Sequence, residues 1–214
     1  MNLTTLLIAA NAVVFMLERV YGDVLIGMFA LWPIGRAYSP ELGAVVGFHL
    51  WQLVTSAFLH ASVTHLLLNM FALHIFGRDV ERALGPGRYL ELYLAAVLSA
   101  AWSQLFIVSS TVHPPYPTLG ASGGVFGVLL AFAVLFPRRI VTLLFPPIPM
   151  PAWLFVALYA CVELVNGVMG TEAGVAHFAH LGGMLGALVM LRRWRRRDAA
   201  DRGARLVELS RDSW

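Results

Sequence analysis

Six apolar runs of about 20 residues, near 3–20, 53–76, 88–108, 119–136, 152–169 and 174–191, constrain this chain more than any other feature. A helix of that length crosses the hydrocarbon core of a bilayer and satisfies its own backbone polar groups there. Only 13% of the 214 residues are charged and 59% are hydrophobic, whereas a soluble domain carries about a quarter charged residues. The expected fold is all-α: a polytopic membrane protein with six transmembrane helices over residues 1–197 and a short, charged, weakly ordered cytoplasmic tail over 198–214. The first run lacks a basic n-region and a convincing cleavage site, so it is expected to be a retained helix rather than a removed signal peptide.

Charge sets the orientation. All fifteen basic residues are Arg. Arg78, Arg82 and Arg88 separate the second and third runs, Arg138 and Arg139 follow the fourth, and Arg192, Arg193, Arg195, Arg196 and Arg197 follow the sixth. If the runs alternate in direction, all these fall on one side, and only Arg19 and Arg36 fall towards the other. Positive residues stay cytoplasmic, so both termini are expected there. The net charge of +3 then reflects orientation in a lipid bilayer and gives no sign of a nucleic-acid partner. The lone Cys161 excludes an internal disulfide and is expected to pack inside the fifth helix. The apolar loop 21–50 is too long for a plain connector. With Trp32 and Tyr38 it is expected to dip into the outer interface.

Three polar clusters interrupt the apolar runs. Ser122 stands among Gly120, Gly123, Gly124 and Gly127 after Pro114, Pro115 and Pro117. It is expected in the first turn of the fourth helix, where backbone N–H groups are exposed. His65 and Asn69 share one face of the second helix at i,i+4, with His60 nearby. Ser62 or Thr64 is suited to cap a helix starting there. His180 opens the sixth helix before Gly182, Gly183 and Gly186, a small-residue face that would bring this helix against the fourth. Packing alone explains the glycines and hydrogen bonding between helices explains a single Asn. Neither explains three clusters at one depth.

A serine becomes a strong nucleophile when a neighbouring base takes its proton, and a neutral His serves near pH 7. Ser122 and His180 are the catalytic candidates, as a dyad with His180 held by packing and stacked on Phe126. The oxyanion needs donors, for which the Ser122 N–H, His65 and Asn69 are the candidates. Glu163, a carboxyl in the outer half of the fifth helix, is a remoter candidate for a third member. No cofactor is called for. A metal on His177, His180, His60 and His65 is the alternative chemistry, although no carboxylate or thiolate clearly joins them and Ser122 would go unexplained.

The set His60-x4-His65-x3-Asn69, Gly120-x-Ser122-Gly123 and Ala179-His180-x2-Gly183, in that order on the second, fourth and sixth helices, resembles the rhomboid intramembrane serine proteases in their compact six-helix bacterial form. Glu81 in the turn after the second helix and the long apolar first loop resemble the family too. The resemblance covers roughly residues 1–191. It implies Ser122 as nucleophile, His180 as base, and His65 and Asn69 in the oxyanion hole. It also implies an integral bacterial inner-membrane protease that cleaves single-pass membrane proteins near the outer face. The fifth helix and the loop Gly170 to Gly174 would gate substrate entry. Many members have Tyr where Phe126 stands, so the ring is kept and the hydroxyl lost. A helix-binding protein without activity is the other reading of the same scaffold.

Overall fold

The computed structural model describes residues 2–109, 116–143, 146–170 and 176–211. Pro114, Pro115, the expected start of the sixth helix at Gly174 and the last three residues of the tail lie outside them. Helix α1 (Leu3–Phe29) starts at Asn2, whose side chain accepts from the Thr5 N–H, a standard N-cap. It runs nine residues past the expected end, through a kink at Tyr21. The loop beyond it is therefore shorter than the 21–50 expected. It is built on a hairpin of β1 (Arg36–Ser39) and β2 (Ala44–Gly47), paired antiparallel with Arg36 opposite Gly47.

Gln52 fixes this loop. Its buried side chain accepts from the N–H groups of Trp32 and His49 and donates to the carbonyls of Met28 and Gly47. Both ends of the amide are thus satisfied, as a buried polar group requires. The expected second helix is broken. Helix α2 (Gln52–Thr55) ends in a 3-10 turn, Ser56–Phe58, and the chain bends by 98° before the next helical stretch begins. Helix α3 (Val63–Ala72) starts at Ser62, which accepts from the His65 N–H at 3.1 Å. It continues through a π-turn, Leu73–Gly77, into α4 (Arg78–Leu84). The Glu18 carboxylate of α1 accepts the His60 N–H from inside the bend.

Helices α5 (Pro86–Ser109), α6 (Ser122–Leu135) and α8 (His177–Arg211) pack on one another. Helix α7 (Ala152–Met169) lies outside, with only Ala152, Val156 and Glu163 buried. It follows a hairpin of β3 (Ile140–Thr142) and β4 (Pro149–Pro151). Cys161 is exposed on α7 rather than packed inside; that helix buries Ala152, Val156 and Glu163 instead. Helix α6 is buried along Gly123–Leu129 and Ala131–Ala133, as a helix that is apolar all round must be. Its 14 residues rise about 21 Å, less than the ~30 Å hydrocarbon thickness.

Among the described residues three helices are long and apolar enough to span a membrane, α1, α5 and α7, or four if the bent stretch Gln52–Phe58 with Val63–Leu84 is one span. Helix α8 runs on to Arg211, through residues 198–211 of the expected tail. Arg and Ala favour helix, so the basic run does not stop it. Asp79 pairs with Arg82 and Arg139, and Arg88 pairs with Asp198 at 2.7 Å. Glu81 accepts from the Leu3 N–H, the Thr4 N–H and the Thr4 hydroxyl. These contacts draw the start of α1, α4, the residues after α6 and the middle of α8 to one end of the bundle.

Small residues set how close the helices come. A Cβ on Gly183 would fall on the carbonyl oxygen of Gly123, so α8 meets α6 backbone to backbone. The other two glycines of that expected face turn elsewhere. Gly182 meets Ser103, and Gly186 meets Ala95 and Ser99, all on α5. The small face of α8 therefore serves two neighbours.

Candidate active site

The approach to Ser122 is held by backbone bonds. Leu31 and Thr118 exchange a pair of N–H to carbonyl bonds at 2.9 Å, and the Gly120 N–H donates to the Ser56 carbonyl at 2.9 Å. The first loop and the bend before α3 thus pin the residues entering α6. Gly120 has φ +131, and a Cβ there would press on the His65 ring at 2.7 Å. Glycine is required on both counts: the backbone conformation and the close approach of an imidazole. Ser122 follows as the first residue of α6. The first-turn amides of α6 have no partners within their own helix.

The Ser122 hydroxyl lies 2.9 Å from His180 Nε2. The α6–α8 contact at Gly123 and Gly183 makes this approach possible, one residue after the serine and three after the histidine. Phe126 stacks on the His180 ring, with centroids 4.2 Å apart and planes 7° from parallel. The expected pairing and stacking are both found. His180 is not held by packing alone, however. Its Nδ1 lies 2.9 Å from Glu163 Oε2 on α7, and His177 Nδ1 lies 2.7 Å from the same oxygen. Glu163, His177 and His180 are all buried.

His65 and Asn69 line the same cleft as Ser122 and Gly120. Asn69 Nδ2 donates to the His65 carbonyl at 2.9 Å, which leaves its second amide proton for another acceptor. His60 stands behind them, edge-on to His65 with centroids 5.1 Å apart. The Ala121 N–H lies 3.5 Å from His60 Nε2. His60 therefore supports the strand of backbone before the serine. The cleft, of about 2150 Å3, runs from Ser122 between Leu68 and Phe71 of α3, with Ile75 of the π-turn, and Phe155 and Tyr159 of α7, down to Arg139. Its walls are largely apolar, with His65, Asn69, Ser122, Glu163 and His180 at one end and the Asp79–Arg139 pair at the other.

Glu163 supplies the carboxylate that the metal alternative lacked, and its oxygen, His177 and His180 offer ligand atoms within 4.8 Å of one another. As they stand, the three groups are hydrogen-bonded to one another. Tetrahedral zinc with ligands at 2.0–2.1 Å separates them by about 3.3 Å. Separations of 2.7 and 2.9 Å are those of hydrogen bonds to a carboxylate. Turnover is accordingly expected to be unchanged by EDTA or 1,10-phenanthroline. Loss of activity with chelator, restored by added zinc, would reverse this reading.

Two further residues that hold the site were missed in the sequence. Glu18 lies within an apolar run, where a carboxylate is costly unless paired, and that signal was available. Gln52 carries no such signal, because its partners are backbone groups three to 24 residues away.

Comparison with known proteins places this arrangement. A family model described as "Rhomboid domain" matches residues 47–196. The chain is 34% identical to Rhomboid protein 1, mitochondrial, of Saccharomyces cerevisiae over 146 residues, covering 64% of this chain and 40% of that protein. It is 43% identical to the Rhomboid protease GluP of Bacillus subtilis over 79 residues, 37% of this chain and 14% of that one. It is 31% identical to the Rhomboid protease AarA of Providencia stuartii over 161 residues, 66% and 55% of the two chains. The matches to these three thus span between a seventh and a little over half of each relative's length.

Proposed function

This chain belongs to the rhomboid family, and we propose that it is an intramembrane serine endopeptidase cleaving single-pass membrane proteins near the outer face of a bacterial cytoplasmic membrane. The observation that carries the reading is the 2.9 Å approach of Ser122 Oγ to His180 Nε2. It occurs at the start of a short buried helix, at one end of a largely apolar cleft. In this proposal the chain crosses the bilayer six times, with both termini cytoplasmic. The charged contacts at one end of the bundle support that orientation, and the site lies at the opposite end.

Ser122 Oγ attacks the scissile carbonyl carbon and passes its proton to His180 Nε2. The Ser122 N–H, His65 and Asn69 donate to the developing oxyanion, which is the main electrostatic aid in acyl transfer. The proton on His180 goes to the leaving amine as the C–N bond breaks. Water then attacks the acyl-enzyme, again through His180, and releases the new carboxyl and the serine. A substrate helix must unwind to offer its carbonyl, since its backbone is otherwise hydrogen-bonded in lipid. The apolar walls of the cleft suit such a segment, entering between α3 and α7.

A cross-link joining the outer halves of α3 and α7 tests the route. In proteoliposomes it should abolish cleavage of a single-pass membrane substrate while leaving Ser122 open to a small fluorophosphonate. Unchanged cleavage with the link in place would exclude entry between these helices.

A further inference from the structure

The proposed reaction accounts for Ser122, His180, His65 and Asn69, but not for the carboxylate that holds His180 from behind. We propose that Glu163 is a positioning residue for the His180 base, with His177 as the second anchor of its carboxylate. The proteolytic machinery is then a Ser122–His180 dyad whose base is oriented by Glu163. This inference rests on the proteolytic reading of the site.

The geometry assigns the protons. Glu163 Oε2 is 2.9 Å from His180 Nδ1 and 2.7 Å from His177 Nδ1. An ionised carboxylate only accepts, so each Nδ1 carries the proton and donates it. His180 Nε2 then holds a lone pair, and this is the atom 2.9 Å from the Ser122 hydroxyl. The hydroxyl donates to it, so the ring stands in the tautomer a general base needs. With no partner at Nδ1, neutral imidazole would sample both tautomers, and a proton on Nε2 would face the serine and block transfer. When Nε2 takes the serine proton, the ring becomes a cation. Glu163 stays ionised and faces that charge across the existing hydrogen bond. No proton moves to it, as in the serine-protease triads.

His177 has a distinct part. Glu163 reaches the site from α7, which is otherwise little buried, while both histidines start α8, three residues apart. The His177 bond fixes the oxygen that His180 uses and ties α7 to the base at the same point. Phe126 stacks on the flat face of His180 and sets the ring plane, whereas Glu163 sets its rotation and its tautomer. A purely structural hydrogen bond would need one histidine. Two on a single oxygen, one of them already bonded to the serine, point to control of the base.

The test compares the kinetics of fluorophosphonate labelling for wild type, Glu163→Gln and Glu163→Asp in detergent. Glutamine keeps the shape and removes the charge. It should lower the maximal labelling rate at least about 100-fold with the probe's half-saturation unchanged; losing the corresponding carboxylate in soluble serine proteases costs about 10^4. Glu163→Asp should restore a substantial part of that rate. A second measurement needs no variant. Nitrogen-15 NMR of histidine-labelled wild type should show His180 protonated at Nδ1 and bare at Nε2. A wild-type labelling rate in Glu163→Gln, or an Nε2-protonated His180 in the resting protein, would overturn the inference. Those results would leave the serine protease reading intact. A folded wild type that never labels would overturn that reading and this inference with it.

Discussion

Ser122→Ala and His180→Ala should each reduce cleavage of a reconstituted single-pass membrane substrate by at least about 10^3-fold, and the double variant should be no worse than either alone. In soluble serine proteases, removing the nucleophile or the base alone costs about as much as removing the whole triad, because the groups act as a unit. In the proposed mechanism that unit is Ser122 and His180, whose Oγ and Nε2 lie 2.9 Å apart. Both side chains sit at helix starts whose backbones are fixed by other contacts, so truncation to Ala removes chemistry with little effect on the fold. Independent, multiplying losses in the two single variants would show that the serine and the histidine do not act together.

Gly183→Val should have the second large effect, on stability and activity together. The added Cβ would occupy the position of the Gly123 carbonyl oxygen. That neighbour is helix backbone one residue from the nucleophile, so no side chain can rotate out of the way. Overpacked side chains in cores cost typically about 1–3 kcal/mol, and a backbone contact leaves less room for relaxation. Helices α6 and α8 must separate, which lengthens the serine–histidine contact as well. Thermal unfolding in detergent should fall sharply and fluorophosphonate labelling should be lost. Gly87→Ala is the control: a Cβ there meets no atom within 4 Å, and Ala favours helix over Gly by about 1 kcal/mol. Equal thermal stability of Gly183→Val and wild type would show that the close α6–α8 approach is not required.

Periodicity and length in the sequence revealed the helices well. The span 152–169 is α7 to the residue, and the polar clusters gathered in space as their depth implied. The bend between α2 and α3 was less visible, because it depends on Glu18 and His60, 42 residues apart. Helix α1 overran its expected end, through the kink at Tyr21, because a glycine inside a helix costs only about 1 kcal/mol. Glycine faces were legible as faces but not by partner: Gly183 meets α6 while Gly182 and Gly186 meet α5. The relation of Glu163 to His180 was the hardest to see. An acid on the fifth helix and a base on the sixth have no sequence spacing that fixes their rotation. Only the packing of α7 on the start of α8 brings them to 2.9 Å.

The most direct measurement is labelling of the purified protein in detergent with a fluorophosphonate, followed by mass spectrometric location of the adduct. The account predicts a single adduct on Ser122, absent from both Ser122→Ala and His180→Ala. Folded wild type that forms no adduct, or an adduct that persists in His180→Ala, would contradict the claim that His180 activates this serine.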